Sequence, residues 1–142
     1  MKKCYIYART ATATQLERSK GQDEAIARQL DECRNYARKY GYNVIEAFTD
    51  AGCSGRNTKR KALQRLLKHS KKQTIDAVFI LNVARLSRNA VDFAEINAKL
   101  RKKDIKLISI HEGDLSSTTG SRFTGNILAS VAQYELERSK GR

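Results

Sequence analysis

Three stretches of the sequence place arginine shortly after a run of β-forming residues. Arg9 closes Lys3–Arg9, Arg60 lies beyond the loop that follows Tyr42–Phe48, and Arg85 and Arg88 follow Asp76–Leu81. A guanidinium stays charged at any working pH, and its forked donors match phosphate oxygens. In a parallel sheet the loops at the strands' carboxyl ends meet at one rim, where open α/β proteins bind ligands. Four guanidiniums gathered there repel one another unless an anion sits among them. Any single arginine is explained as well by a solvated head on an apolar stem; the set points to phosphate. Asp50, in the loop after the second strand, is a candidate general base or arginine orienter, or else an Asx-turn residue.

Other chemistry finds less support. His69 and His111 have no metal-like spacing to any cysteine or carboxylate, so no metal is expected. Neither GxGxxG nor GxxxxGK[ST] occurs, which leaves a nucleotide cradle and any other cofactor unsupported. Cys53, between glycines and near basic residues, is either a reactive thiol or incidental. Ser54 and Ser87 read as turn formers. The three cysteines, at 4, 33 and 53, form no Cys-x-x-Cys pair. An odd number without that spacing fits neither a zinc ribbon nor a disulfide framework, and the expected compartment is the reducing cytoplasm.

The 142 residues carry 28 Lys+Arg against 15 Asp+Glu, a formal charge of +13. Such an excess is relieved by a polyanion, nucleic acid first and an acidic membrane surface second, although a basic protein with no such partner has the same composition. Hydrophobic residues make up 40% and charged residues 30%, which excludes a disordered tail. The longest apolar runs, Cys4–Ala8 and Ala77–Leu81, are far too short to span a bilayer, and the opening residues lack the pattern of a signal peptide.

Strand and helix patterns alternate along the chain. Lys3–Arg9 is a first strand, and Thr10–Gln22 is polar with no helical stripe. Ile26, Leu30, Cys33, Ala37 and Tyr40 then mark one helix face, closed by Gly41 as a left-handed cap. Tyr42–Phe48 is the second strand and Thr49–Gly55 a loop. Arg60 to about Lys71 is a helix held by Leu63, Leu66 and Leu67. Asp76–Leu81 is a strand buried on both faces, since its apolar residues do not alternate. Asn89 is a candidate N-cap for a helix with Val91, Ala94 and Ala98 on one stripe and Phe93, Ile96 and Leu100 on another. Ile105–Ile110 is a fourth strand. Phe123, Ile127, Val131 and Tyr134 mark a last helix from about residue 121. There is no proline, repeat or linker. The expected fold is a single α/β domain over 1–142: three layers, a mainly parallel four- to five-stranded sheet, and helices on both faces.

In this order the motifs resemble the catalytic domain of the serine recombinases, the resolvase/invertase family. Tyr7-Ala-Arg9-Thr-Ala11-Thr12, followed by Gln15, is similar to the family's Tyr-x-Arg-Val-Ser-Thr opening. Ile26-Ala-Arg-Gln29-Leu30 resembles the helix with its active-site Gln, and Phe48-Thr-Asp50-Ala-Gly-Cys-Ser54-Gly55 its Asp-x-x-x-Ser-Gly loop. Arg60-Lys-Ala-Leu63 matches the arginine opening the next helix, and Val83-Ala84-Arg85-Leu86-Ser87-Arg88 the Asp-Arg-Leu-Ser-Arg signature. Ile127 to Glu135 is similar to the start of the long helix used for dimer and tetramer contacts.

The resemblance implies cleavage of double-stranded DNA by a serine hydroxyl, through a 5′-phosphoserine link and without cofactor or metal. Arg9, Arg60, Arg85 and Arg88 would bind the scissile phosphate, with Arg60 or Arg85 aiding protonation of the leaving group. Gln29 would hold the strand-one loop, and Asp50 would orient an arginine or assist proton movement. It also implies a homodimer that pairs into a tetramer, and a DNA-binding region after the long helix that this chain lacks.

Two positions depart from the pattern. Ala11 stands at the nucleophile position, and Ala84 where the family's aspartate precedes Arg-Leu-Ser-Arg. An alanine forms no covalent intermediate, so the chain as written is expected not to cleave unless Thr10, Thr12 or Thr14 substitutes. The competing readings are a non-catalytic DNA-binding or oligomerisation module with the same arginine pocket, and a small-phosphate-binding flavodoxin-like domain. The latter would need a glycine-rich first loop that Thr10–Thr14 does not provide. No helix-turn-helix pattern is present to read bases. Duplex DNA should therefore bind weakly and without sequence preference; a titration across salt concentrations should show steep loss of affinity, and a flat response would contradict the reading.

Overall fold

A computed structural model describes residues 1–10, 15–50, 60–87 and 90–115, with only the backbone of 15–23 and 90. The elements are β1 (Lys2–Arg9), α1 (Gln15–Lys39), β2 (Tyr42–Asp50), α2 (Lys61–His69), β3 (Ala77–Ile80), α3 (Val83–Leu86), α4 (Ala90–Arg101), β4 (Lys106–Ser109) and β5 (Gly113–Asp114). The sheet order is β2-β1-β3-β4-β5, parallel throughout except for the short antiparallel β5. The architecture is the expected single mixed α/β domain with a mostly parallel sheet.

Strand alternation divides the core in two. Cys4, Ile6, Ala77 and Phe79 face α1, packing against Cys33 and Ala37 with Leu30 and Tyr36 at the edge. Tyr5, Tyr7, Val78 and Ile80 face the opposite layer, built by Leu63 and Leu66 of α2 and Phe93, Ile96 and Leu100 of α4. β3 is buried along its whole length, which accounts for its unalternating apolar sequence.

β2 changes sides midway. Cys4 pairs with Val44 but Tyr5 pairs with Glu46, leaving Ile45 as the extra residue of a bulge. Tyr42 and Val44 lie with the α1 core, whereas Phe48 enters the α2 side and meets Tyr5 edge-on at 5.1 Å between centroids. One inserted residue reverses the face of everything after it. Phe48 and Asp50 are thereby turned towards α2.

Several boundaries differ from expectation. α1 begins at Gln15, far ahead of the apolar stripe, because backbone helicity needs only helix formers while the stripe marks where the helix meets the sheet. β2 runs on to Asp50, so Thr49 and Asp50 are strand rather than loop residues. The short α3, capped by the Asn82 side chain on the Arg85 amide at 3.0 Å, and β5 are additions. Tyr40 follows the last residue of α1 and is 55% exposed, stacked on Tyr36. On α4 the Phe93, Ile96 and Leu100 stripe is the buried one, and Val91 is exposed. Gly41 has the expected left-handed φ of 79°. The last helix, Asn89 and Cys53 with its loop lie outside the described residues. Among those described, no helix is long and apolar enough to cross a membrane.

Burial pushes the Cys4 and Cys33 thiols up from 9.0 to about 12, with Glu32 adding to the effect at Cys33. The folded state then holds these protons more tightly than the unfolded chain does. The stability this confers is complete below pH 9 and is lost as pH climbs towards 12. Urea midpoints should hold steady from about pH 6 to 8 and fall above about 9. The fall should be shallower for Cys4→Ala/Cys33→Ala, and equal slopes would contradict the assignment.

Candidate functional site

β1 and β3 are neighbours in the sheet, and the chain leaves them in opposite directions, from β1 through α1 to β2 and from β3 through α3 and α4 to β4. The rim beyond the carboxyl ends of β1 and β3 is therefore the topological switch point, where this kind of sheet takes its ligands. Arg9 is the last residue of β1, and α3 follows β3 almost at once.

The final carbonyls of a helix have no partner within it and carry partial negative charge. In α3 the Ser87 amide satisfies Val83 at 3.0 Å. The next three carbonyls receive arginines. Arg9 donates through Nη2 to Ala84 O at 2.8 Å and through Nε to Arg85 O at 3.0 Å. Arg60 donates through Nη1 to Leu86 O and through Nη2 to Asp92 Oδ2 at 2.8 Å. Arg9 is 1% exposed and Arg60 2%. A buried cation is tolerated only when its donors are engaged, and helix-end carbonyls provide that engagement.

Gln29, reaching over from α1, continues the ladder where β3 has stopped. It accepts from the Arg9 amide at 3.2 Å and donates to the Arg9 carbonyl at 3.0 Å, as a neighbouring strand would. On the other side the Thr10 amide donates to Asp50 O at 3.2 Å. The backbone of Arg9 and Thr10 is thus held from both flanks.

Asp50 caps a helix from a different element. Arg60, at the N-cap of α2, makes no side-chain cap bond. Asp50 Oδ1 accepts from the Ala62 amide at 2.9 Å, and Oδ2 from the Leu63 amide at 3.1 Å and the Tyr7 hydroxyl at 2.8 Å. A carboxylate at a helix N-terminus meets both free amides and the positive end of the dipole. Burial first, then the Asp50 charge, holds the Tyr7 phenol well above its ordinary value, so it stays a neutral donor.

Arg85 differs from the other two. It is half-buried, and its guanidinium makes one long hydrogen bond, Nη1 to Arg9 O at 3.5 Å. Of the described arginines here it retains the most donor capacity. Among the described residues three guanidiniums, of Arg9, Arg60 and Arg85, gather here; Asp92 pairs with Arg60, Asp50 caps α2, and Glu112 accepts from the Val83 amide at the start of α3 at 3.3 Å. Position 84 offers only a backbone carbonyl. Ala11, Thr12, Thr14, Ser54 and Arg88 lie outside the described residues. His69 packs edge-on to Phe48, its Nδ1 3.9 Å from Glu46, and no cluster able to hold a metal occurs among the described residues.

Sequence reasoning gave Tyr7 no role beyond its place in the Tyr-x-Arg motif and did not single out Asp92. Tyr7 reads as one β-former among several. Asp92 reads as an acid in the first turn of a helix, and its partner is 32 residues away.

The Resolvase, N terminal domain family model matches residues 4–142. A protein of Bacillus subtilis (strain 168) named "Putative DNA recombinase" is 28% identical over 137 residues, covering 96% of this chain and 26% of that protein. The chain thus spans about a quarter of that relative's length. The N-terminal catalytic domain of TP901-1 integrase is similar with a TM-score of 0.75 and 35% identity, covering 97% of this chain and 99% of that one. The C-terminal catalytic domain of ISC1926 TnpA, an IS607-like serine recombinase, gives 0.66 and 31% over 76% of this chain and 70% of that one. A resolvase family site-specific recombinase from Streptococcus pneumoniae shares the fold, with a TM-score of 0.71 at 24% identity over 99% of this chain and 91% of that one.

The Asp50 cap is testable by stability. Tyr7→Phe removes one of three bonds to the carboxylate and should cost about 1 kcal/mol, whereas Asp50→Ala leaves two amides and a phenol unpaired and should cost about 2–4 kcal/mol. Urea denaturation of both single variants and the double variant should show coupling of about 1 kcal/mol. Strict additivity would place the hydroxyl elsewhere.

Proposed function

The chain belongs to the resolvase family of recombinases, matched over residues 4–142, and from that premise we propose that it is the catalytic domain of a site-specific DNA recombinase. Its substrate is double-stranded DNA, its working form a homodimer that pairs into a tetramer, and its compartment the cytoplasm. The observation that supports this reading is the gathering of guanidiniums at the switch point, organised around the end of β1 just ahead of residue 11.

With serine at position 11, the hydroxyl oxygen attacks the phosphorus of a backbone phosphodiester. A 5′-phosphoserine ester forms, the bond from phosphorus to the 3′ oxygen breaks, and that oxygen leaves as a protonated 3′-hydroxyl. One ester replaces another, so a 3′-hydroxyl from a partner end reverses the step and rejoins DNA with no external energy source. Phosphoryl transfer needs mainly positioning and charge stabilisation at the non-bridging oxygens. Arg85 and Arg88 contact those oxygens, while Arg9 and Arg60 add positive potential and hold the α3 carbonyls in place. Arg60 or Arg85 assists protonation of the leaving oxygen. Gln29 fixes the backbone that presents residue 11, and Asp50 anchors α2 beside it.

As written, Ala11 has no hydroxyl, so no covalent intermediate forms at position 11 itself. That loss, with Ala84, favours a second reading: a non-catalytic DNA-binding or oligomerisation module derived from the same family. A covalent-adduct assay separates them. On DNA carrying the true site, and in a chain long enough to recognise it, Ala11→Ser should yield a protein–DNA adduct where the parent yields none. Adding Arg85→Ala should lower the yield about 100-fold or more. Absence of adduct from both forms would favour the non-catalytic module, and adduct from the parent would point to Thr10, Thr12 or Thr14.

A further inference from the structure

At the opposite end of the sheet the chain repeats a short pattern. Lys68-His-Ser-Lys71-Lys72 ends α2, and Lys99-Leu-Arg-Lys102-Lys103 ends α4. Lysines at i, i+3 and i+4 share a helix face. The backbone keeps that phase through each end: the Lys71 and Lys72 amides donate to Lys68 and His69, and the Lys102 and Lys103 amides to Ala98 and Leu100. The two ends lie side by side around a cavity of about 430 Å³ lined by Gln64, Leu67, Ser70 and five of the lysines. A smaller one of about 180 Å³ adjoins it, adding Lys72 over Ile75 and Ile105.

All six lysines are exposed, and among the described residues no acidic side chain lines either cavity. Among the described residues none of the six forms an ion pair. Lysine is favoured at a helix C-terminus by the macrodipole, but each end carries only about half a negative charge. Two helix ends therefore account for about one of the six positive charges. The remainder is a concave patch of one sign, which concentrates anions.

We propose that this groove is a second binding site for the phosphate backbone of duplex nucleic acid, separate from the arginine rim. Ile75 and Ile105 lead into the amino ends of β3 and β4, while Arg9 and Arg85 follow the carboxyl ends of β1 and β3. The eight residues of β1 set these two ends about 25 Å apart. One phosphate does not reach both. Among the described residues the groove has no aromatic lining on which a base would stack, so it takes backbone rather than single-stranded bases. The exposed large apolar side chains, Met1, Tyr40, Ile45 and Val91, are not among its lining residues, which argues against a membrane surface that would need apolar insertion. The site rests on the DNA-acting reading above and adds a second DNA segment to it.

The test measures anisotropy of a labelled duplex of arbitrary sequence against salt, using the chain as it stands. Lys68→Gln/Lys71→Gln/Lys102→Gln/Lys103→Gln should weaken binding at least about tenfold and flatten the log–log salt slope by about 3, since each phosphate left unneutralised removes about 0.9. Arg28→Gln/Arg34→Gln/Arg38→Gln/Lys39→Gln, the same charge removed from the exposed side of α1, should flatten it by less than about 1. In the parent, DNA should protect the groove lysines from acetylation more than Lys39. Equal slopes for the two variants, or no protection, would overturn the groove and leave the recombinase reading intact. No binding of the parent at low salt would overturn both. Loss of binding to phosphatidylserine vesicles with DNA binding unchanged would assign the groove to a membrane instead.

Discussion

Two buried guanidiniums set on the carbonyl end of α3 hold together what β1, α2 and β3 deliver to the rim. Arg9 comes from one strand, Arg60 from the start of a helix, and the carbonyls of residues 84–86 from the turn after another strand. None of these is near another in sequence. An arginine buried without acceptors would be ejected or would unfold its surroundings. A four-residue helix without partners for its last carbonyls would be equally unfavourable. Each need answers the other, so the rim has one well-satisfied arrangement.

The other contacts follow from that arrangement. Asp92, in the first turn of α4, pairs with Arg60 at the start of α2 and links the two helices. Asp50 caps α2 and holds the Tyr7 hydroxyl, tying the second strand to the first and to the helix that begins with Arg60. Gln29 binds the backbone of Arg9 from the opposite layer. The carboxyl end of β1 is thus held by bonds from several elements. Arg85, whose guanidinium makes one long bond to the Arg9 carbonyl at 3.5 Å, is the least engaged of the three described arginines at this end.

Charge is distributed along the sheet axis. At the carboxyl end of the strands it resides in arginines embedded among carbonyls and carboxylates. At the amino end it resides in solvated lysines with no anionic partner among the described residues. The first arrangement suits fixed geometry, because a guanidinium's donors are planar and directional. The second suits a mobile polyanion, because an ammonium on a flexible stem is a point charge. A net charge of +13 gives no hint of this division.

The sequence by itself determined the element order, the layered α/β class and the rim as the place to look. Apolar period and glycine placement are local signals, and they survive folding unchanged: Cys33 and Ala37 are buried as the stripe requires, and Gly41 takes its left-handed turn. Only the tertiary structure decided which side chains meet. The Ile45 bulge turns Asp50 towards α2, and no period-two reading of β2 contains that extra residue. Tyr7 with Asp50, Arg60 with Asp92 and Gln29 with Arg9 join residues 43, 32 and 20 positions apart. Such pairs are settled by packing two layers on one sheet, a global constraint with no local periodicity.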